Sequence, residues 1–134
     1  MSTPFRLIPR LEIKGRHLVK GIHLEGLRVL GEPQHFARTY AKQGADEILC
    51  VDVVASLYGR TTALDLISEI CGHAFIPLSA GGGIRTLDDI QGALAAGSDK
   101  VVINSALVEN PELGGLAAEQ YGSSTIVASV KVTK

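Results

Sequence analysis

The sequence predicts an α/β fold with a parallel sheet, half of an eight-stranded (βα)8 TIM barrel made of (βα)4 plus a fifth strand, and three observations point to it. Short apolar runs alternate with helix-like segments along all 134 residues, the pattern of βαβ units. The stretch Gly44-Ala-Asp46-Glu-Ile-Leu-Cys-Val-Asp52 recurs as Gly97-Ser-Asp99-Lys-Val-Val-Ile-Asn104, and Phe5-Arg-Leu-Ile-Pro9 is echoed in Ala74-Phe75-Ile76-Pro77. Such a repeat makes two tandem units of two βα pairs each, and each unit is a quarter of an eight-stranded barrel; chance similarity between buried strands is the alternative. In the first strand Arg6, Ile8, Arg10, Glu12 and Lys14 share one face and Leu7, Pro9, Leu11 and Ile13 the other. A barrel strand turns its apolar face to the helices and its other face to the interior.

The elements follow in order. Strand one is Phe5–Ile13, followed by a polar, glycine-containing stretch from Lys14 to Gly31. A helix near Pro33–Gly44 carries Phe36, Tyr40 and Ala41 on one side, with Pro33 suited to a first turn. Strand two is Glu47–Val54, and a helix near Thr61–Cys71 places Leu64, Ile67 and Ile70 three apart before Gly72. Strand three, Ala74-Phe-Ile-Pro-Leu-Ser79, leads into Ala80-Gly-Gly-Gly-Ile-Arg-Thr86. The next helix, near Leu87–Ala96, is opened by Thr86, with Asp88 and Asp89 in its first turn where the helix dipole favours negative charge. Strand four is Lys100–Asn104, a helix covers about Pro111–Tyr121, and strand five is Ser124–Val132. The chain reads as a single half-barrel domain over residues 1–134.

Composition narrows the functional classes. Thirteen Lys+Arg against 14 Asp+Glu give a net charge of −1; with no basic block, a nucleic-acid or acidic-membrane partner is not expected. No signal-peptide-like or membrane-length apolar run is present, so no membrane association and a cytoplasmic location are the expectations. Cys50 and Cys71 form no CxxC and no Cys/His cluster, so they read as buried thiols, and no metal or other cofactor is expected. His17, His23, His35 and His73 have no partner at helical spacing and read as surface histidines. The 15 glycines and 4% aromatics suit a chain that buries strands on both faces and uses glycine where loops turn tightly or meet a ligand.

Three groups of residues carry candidate chemistry. Gly81, Gly82 and Gly83 follow a strand and precede a helix, so successive backbone N–H groups and the helix N-terminus would cradle a phosphate. The alternative is a tight turn requiring positive φ, for which one glycine would suffice. Asn104 and Ser105 end the adjacent strand and offer donors to the same anion, or else cap the following turn. Glu12 and Lys131 end strands one and five on the inward parity, as a general acid/base with its electrostatic partner or as an interior ion pair without chemistry; Asp52 and Lys20 make a candidate supporting pair. Glu47 and Lys100, at strand starts, and Arg6 belong at the opposite, lower end of the barrel.

The stretches RLIPRLEIKGRHLVKG, GADEILCVDVVAS, IPLSAGGGIRTLDDI and GSDKVVINSALVENP resemble the cyclase subunit of imidazole glycerol phosphate synthase, a (βα)8 barrel of histidine biosynthesis, over its N-terminal half plus one strand. The resemblance implies ammonia-dependent lyase/cyclase chemistry on a phosphorylated ribosyl substrate. It implies a phosphate site at Gly82, Gly83, Asn104 and Ser105, a loop lysine at Lys20 and a supporting aspartate at Asp52. It also implies a gate at Arg6, Glu47 and Lys100 through which a glutaminase partner delivers ammonia. The family's catalytic carboxylates are aspartates ending strands one and five, where this chain carries Glu12 and Lys131. Glutamate displaces the carboxyl by a methylene and lysine inverts the charge, which matters because a misplacement of about 1 Å costs on the order of 100-fold. These departures, and the segment Gly21-Ile-His-Leu-Glu-Gly-Leu-Arg-Val-Leu-Gly31, also suit a divergent branch acting in amidation of nucleotide-linked sugars for surface polysaccharides. The rival expectation is a non-catalytic, phosphate-binding half-barrel. In either case open sheet edges predict a homodimer or higher oligomer.

Overall fold

The computed structural model describes residues 5–22, 26–53, 55 and 64–130. Among the described residues seven strands and five helices follow in the order β1 Arg10–Lys14, β2 His17–Ile22, β3 Gly26–Gly31, α1 Pro33–Lys42, β4 Ile48–Asp52, α2 Leu64–Ala74, β5 Leu78–Gly81, α3 Leu87–Ala95, β6 Lys100–Ile103, α4 Ser105–Glu109, α5 Glu112–Tyr121 and β7 Ile126–Ala128. They form one sheet in the order β3-β2-β1-β4-β5-β6-β7. The five strands β1, β4, β5, β6 and β7 are parallel and sequential, as expected of half a βα barrel. The alternation read from strand one holds: Leu11 and Ile13 are buried, whereas Arg10, Glu12 and Lys14 are not. Ile48, Cys50, Leu78, Ala80, Val101 and Ile103 continue that buried face. Ala37, Leu66, Ile67, Ile70, Ile90, Ala93, Leu113 and Ala117 pack on it from the helices.

The stretch Lys14–Gly31 folds as an antiparallel hairpin, β2 and β3, added to the free side of β1. Its first turn is the two residues Gly15 and Arg16, between the paired Lys14 and His17, with Gly15 at φ 61°. A two-residue turn with a glycine at positive φ is a hairpin signal, here hidden among polar residues. Arg16 leaves that turn to hydrogen-bond Glu69 at 2.6 Å and Asp65 at 2.7 Å on α2, and Gln34 of α1 donates to the same Glu69 oxygen at 3.0 Å. The hydrogen bond and charge of Glu69, followed by Asp65, hold the Arg16 pKa above its ordinary value.

Strand two starts one residue later than expected, at Ile48, and strand five covers only Ile126–Ala128 of the described residues; strands one and three start later by more, and proline is the reason in both. Pro9 and Pro77 have no N–H to give a ladder, so β1 and β5 begin just after them, at Arg10 and Leu78. Before β1 the chain is already attached, through Asp46 N to Leu7 O at 2.9 Å and Leu49 N to Pro9 O at 3.0 Å. Helix α2 runs three residues past Cys71 and ends where Phe75 adopts a left-handed φ of 59°.

The repeated Gly-x-Asp has a physical explanation. Gly44 and Gly97 take φ 101° and 118° just after α1 and α3. Two residues on, Asp46 and Asp99 perform the same task. Asp46 accepts from Leu7 N at 2.7 Å through its carboxylate and donates its own N–H to Leu7 O. Asp99 accepts from Leu78 N at 2.9 Å and donates to Leu78 O at 2.8 Å. Each aspartate thus clamps the start of the preceding parallel strand. The clamp makes Leu7 equivalent to Leu78, so the Ile-Pro echo at 8–9 and 76–77 is out of structural register.

Cys50 is buried and free, and burial, then the nearby charges of Asp52 and Cys71, pushes its thiol up to about 12. Cys71 is half-buried and its pKa is raised by burial, then by Asp99. The expectation of buried thiols therefore holds for Cys50, while Cys71 is half-buried; burial raises both pKa values, which keeps the thiols protonated at neutral pH. His17, His35 and His73 are exposed, while His23 lies outside the described residues.

Candidate functional site

The parallel ladder sorts the candidate residues into two tiers. At the strand ends, Glu12 pairs with Val51 and Ile13 with Asp52. Val51 pairs with Gly81, and Gly81 with Val102. Glu12, Asp52, Gly82, Gly83, Asn104 and Ser105 therefore gather at the C-terminal ends of four adjacent strands, where βα barrels hold their sites. At the strand starts, Glu47 is only 8% exposed, is hydrogen-bonded by Arg6 and lies 3.8 Å from the Lys100 ammonium. The three residues assigned to the lower end form one charge cluster there.

Each glycine of the 81–83 turn has its own structural demand, so the premise that one would suffice does not hold. A Cβ on Gly81 would approach the Val102 side chain to 2.9 Å. Gly82 sits at φ 102°, and a Cβ there would meet Asp52 O at 2.4 Å and Asp52 N at 2.9 Å. Gly83 takes φ 71°. The close backbone approach holds Gly82 against the buried Asp52 and ties β4 to the turn; Gly82 and Gly83 are half-buried, and Asn104 and Ser105, which follow β6, are exposed.

The start of α3 is a complete capping box. Asp89 N donates to Thr86 Oγ1 at 3.1 Å, and the Asp89 carboxylate accepts from Arg85 N at 3.0 Å and Thr86 N at 3.1 Å. Two N–H groups that an anion could have used are therefore taken by the protein's own carboxylate, so the contribution expected of the helix N-terminus is reduced. At the neighbouring turn, the Asn104 side chain makes no capping hydrogen bond to α4, which removes the capping alternative for its amide.

Glu12 is held by a residue the sequence reading placed on its face but did not pair with it: Arg10 Nε donates to Glu12 Oε1 at 3.1 Å, with both side chains partly exposed. Residues two apart on a strand project to the same side, and that spacing was the available signal. Lys20 lies on β2 opposite Arg28; its side chain and the whole of Lys131 lie outside the described residues, so the pairings of Glu12 with Lys131 and of Asp52 with Lys20 do too. Among the described residues no group of three His, Cys, Asp or Glu could hold a metal ion, and no helix is long and apolar enough to cross a membrane.

A parallel half-barrel with a glycine-rich upper turn, an inward carboxylate and a charge cluster beneath places the chain among proteins of the (βα)8-barrel class. The family model described as histidine biosynthesis protein matches residues 6–134, and the chain belongs to that family. It is 47% identical over 129 residues to the imidazole glycerol phosphate synthase subunit HisF of Legionella pneumophila, covering 96% of this chain and 61% of the relative. It is 42% identical over 129 residues to the subunit of the same name from Dictyoglomus thermophilum, covering 96% of this chain and 51% of the relative. The chain thus spans between half and two thirds of the curated relatives it matches.

Proposed function

We propose that this half-barrel serves the cyclase chemistry of imidazole glycerol phosphate synthase: an ammonia-dependent lyase reaction on a phosphorylated ribosyl substrate in histidine biosynthesis. The observation that carries this reading is the gathering of Glu12, Asp52, Gly82, Gly83, Asn104 and Ser105 at the ends of adjacent parallel strands. In it, Gly82, Gly83, Asn104 and Ser105 hold the phosphate through backbone and side-chain donors. Glu12 moves the proton, with Lys131 as its charge partner, and Lys20 and Asp52 orient the substrate. Arg6, Glu47 and Lys100 form the entrance for ammonia supplied by a glutaminase subunit, in the cytoplasm and without a metal or other cofactor. The test is turnover of the cyclase substrate with ammonium as nitrogen donor. Glu12→Gln keeps the shape but cannot take a proton, and loses 100-fold or more of the rate; equal rates in the two proteins contradict the assignment.

A second reading is favoured by one observation. Arg10 holds the Glu12 carboxylate along the strand, which suits a non-catalytic, phosphate-binding half-barrel or a relative that amidates a nucleotide-linked sugar. Under either reading the uncovered face, with Arg10 and Glu12 on it and β3 and β7 at the sheet edges, is closed by a second copy of the chain. Sedimentation at tens of micromolar yields a dimer or larger species; a well-folded monomer contradicts this.

A further inference from the structure

Glu12 stands on β1 between two cations that share its face, Arg10 toward the strand start and Lys14 toward the strand end, while Leu11 and Ile13 turn to the core. Side chains two apart on a strand are neighbours on one face, about 6.6 Å apart along the chain, so both cations are within reach of the carboxylate. It takes Arg10: Nε donates to Oε1 at 3.1 Å. The choice has a direction, because a bond to Arg10 draws the carboxyl toward the strand start, away from the β1–β2 turn.

The neighbouring strand offers no competitor. Arg10 is level with Leu49 and Glu12 with Val51, and neither of those side chains can hydrogen-bond. Among the described residues Arg10 is the only donor to the Glu12 carboxylate. It spends one N–H on one oxygen, which leaves Oε2 open to a proton. The two side chains are 49% and 37% exposed, and an ion pair so solvated adds little to stability. Loss of Arg10 therefore leaves the fold standing, and its effect on Glu12 can be read separately.

We infer that Arg10 is the positioning residue for Glu12: it ties down Oε1 and presents Oε2 as the oxygen that exchanges a proton with the substrate. The inference rests on the cyclase reading and goes beyond it, in naming the oxygen that acts and the group that holds it. The proton passes between substrate and Oε2; the guanidinium keeps all of its own, since arginine is not deprotonated in proteins. Without Arg10 the carboxylate turns to Lys14 or to solvent, and a misplacement of about 1 Å costs on the order of 100-fold.

The experiment is steady-state turnover of the cyclase substrate with ammonium by the full chain, Arg10→Met, Arg10→Lys, Glu12→Gln and the double variant Arg10→Met/Glu12→Gln. Methionine keeps the length of the side chain and removes the donor. Arg10→Met lowers kcat about tenfold or more and leaves KM within about twofold, and its melting temperature stays within about 2 °C of the parent's. Arg10→Lys, which restores a donor and the charge, recovers part of the loss. In the double variant, removal of Arg10 adds nothing to the loss from Glu12→Gln, because a group that acts only through Glu12 has nothing left to position. A structural defect would add its own loss. The Arg10 Nε–H resonance moves in Glu12→Gln, a readout independent of turnover. Equal kcat in Arg10→Met, an additive loss in the double variant or an unmoved Arg10 resonance overturns the inference while the cyclase reading stands. A rise in kcat on losing Arg10 also overturns it, since Arg10 would then withhold the carboxylate rather than present it. A parent without turnover overturns the cyclase reading and this inference with it.

Discussion

Gly82→Ala destabilises the chain by about 3 kcal/mol or more, the largest loss expected of a methyl added to any of the described glycines. Two effects combine. The residue sits at φ 102°, a conformation that L side chains rarely adopt, and the new Cβ would stand 2.4 Å from the Asp52 carbonyl oxygen. Neither neighbour can yield cheaply, because the atoms struck are backbone rather than the tip of a flexible side chain. Relief requires β4 and the β5–α3 turn to separate, and that separation also dismantles the proposed phosphate site. Gly44→Ala is the control: its φ of 101° imposes a similar backbone penalty, but nothing lies within 4 Å of the added methyl. Urea denaturation of the two variants isolates the steric part. A loss in Gly82→Ala no greater than in Gly44→Ala would show that the Asp52 approach is not what the fold requires.

Asp99→Ala costs about 2 kcal/mol, and the equivalent Asp46→Ala about 1 kcal/mol. Both changes remove a carboxylate that accepts from the first N–H of the preceding strand. They differ in what is left behind. Leu78 is 1% exposed, so its N–H loses its partner in a dry setting, whereas Leu7 is 68% exposed and water can replace the lost acceptor. The ordering therefore follows burial and not the strength of the hydrogen bond, since the Asp46 contact is the shorter, 2.7 Å against 2.9 Å. Equal losses in the two variants, measured by denaturant midpoint at constant slope, would remove the burial argument.

The aspartate clamp also shows what was legible in the sequence. The Gly-x-Asp repeat and the alternation Arg10, Leu11, Glu12, Ile13 were plain, because both follow from periodicities that the parallel sheet imposes on every strand. The hairpin at His17–Gly31 was not, since its polar and apolar residues mix and the positive φ of Gly15 leaves no mark beyond the glycine itself. Strand starts were displaced by Pro9 and Pro77, which end a strand's hydrogen bonding without interrupting its apolar pattern. At the site, the tiers were readable from position along each strand. The Arg10–Glu12 pair and the Asp89 carboxylate over the α3 start were legible only as positions, on one strand face and in one helix turn, because which of several nearby groups a charge chooses is decided in three dimensions. The three glycines were singled out as an anion cradle, and the structure gives each a demand of its own besides: Gly81 and Gly82 are required by neighbouring chain, and Gly83 by its φ of 71°.

The proposed function rests on the strand-end tier binding phosphate, and a titration of the full chain with inorganic phosphate and with ribose 5-phosphate, followed by amide NMR, tests it most directly. Saturable shifts are expected at Gly82, Gly83, Asn104 and Ser105, stronger with the sugar phosphate, and none at Arg6, Glu47 and Lys100. A folded chain whose strand-end amides stay still while phosphate collects at the lower cluster would contradict it.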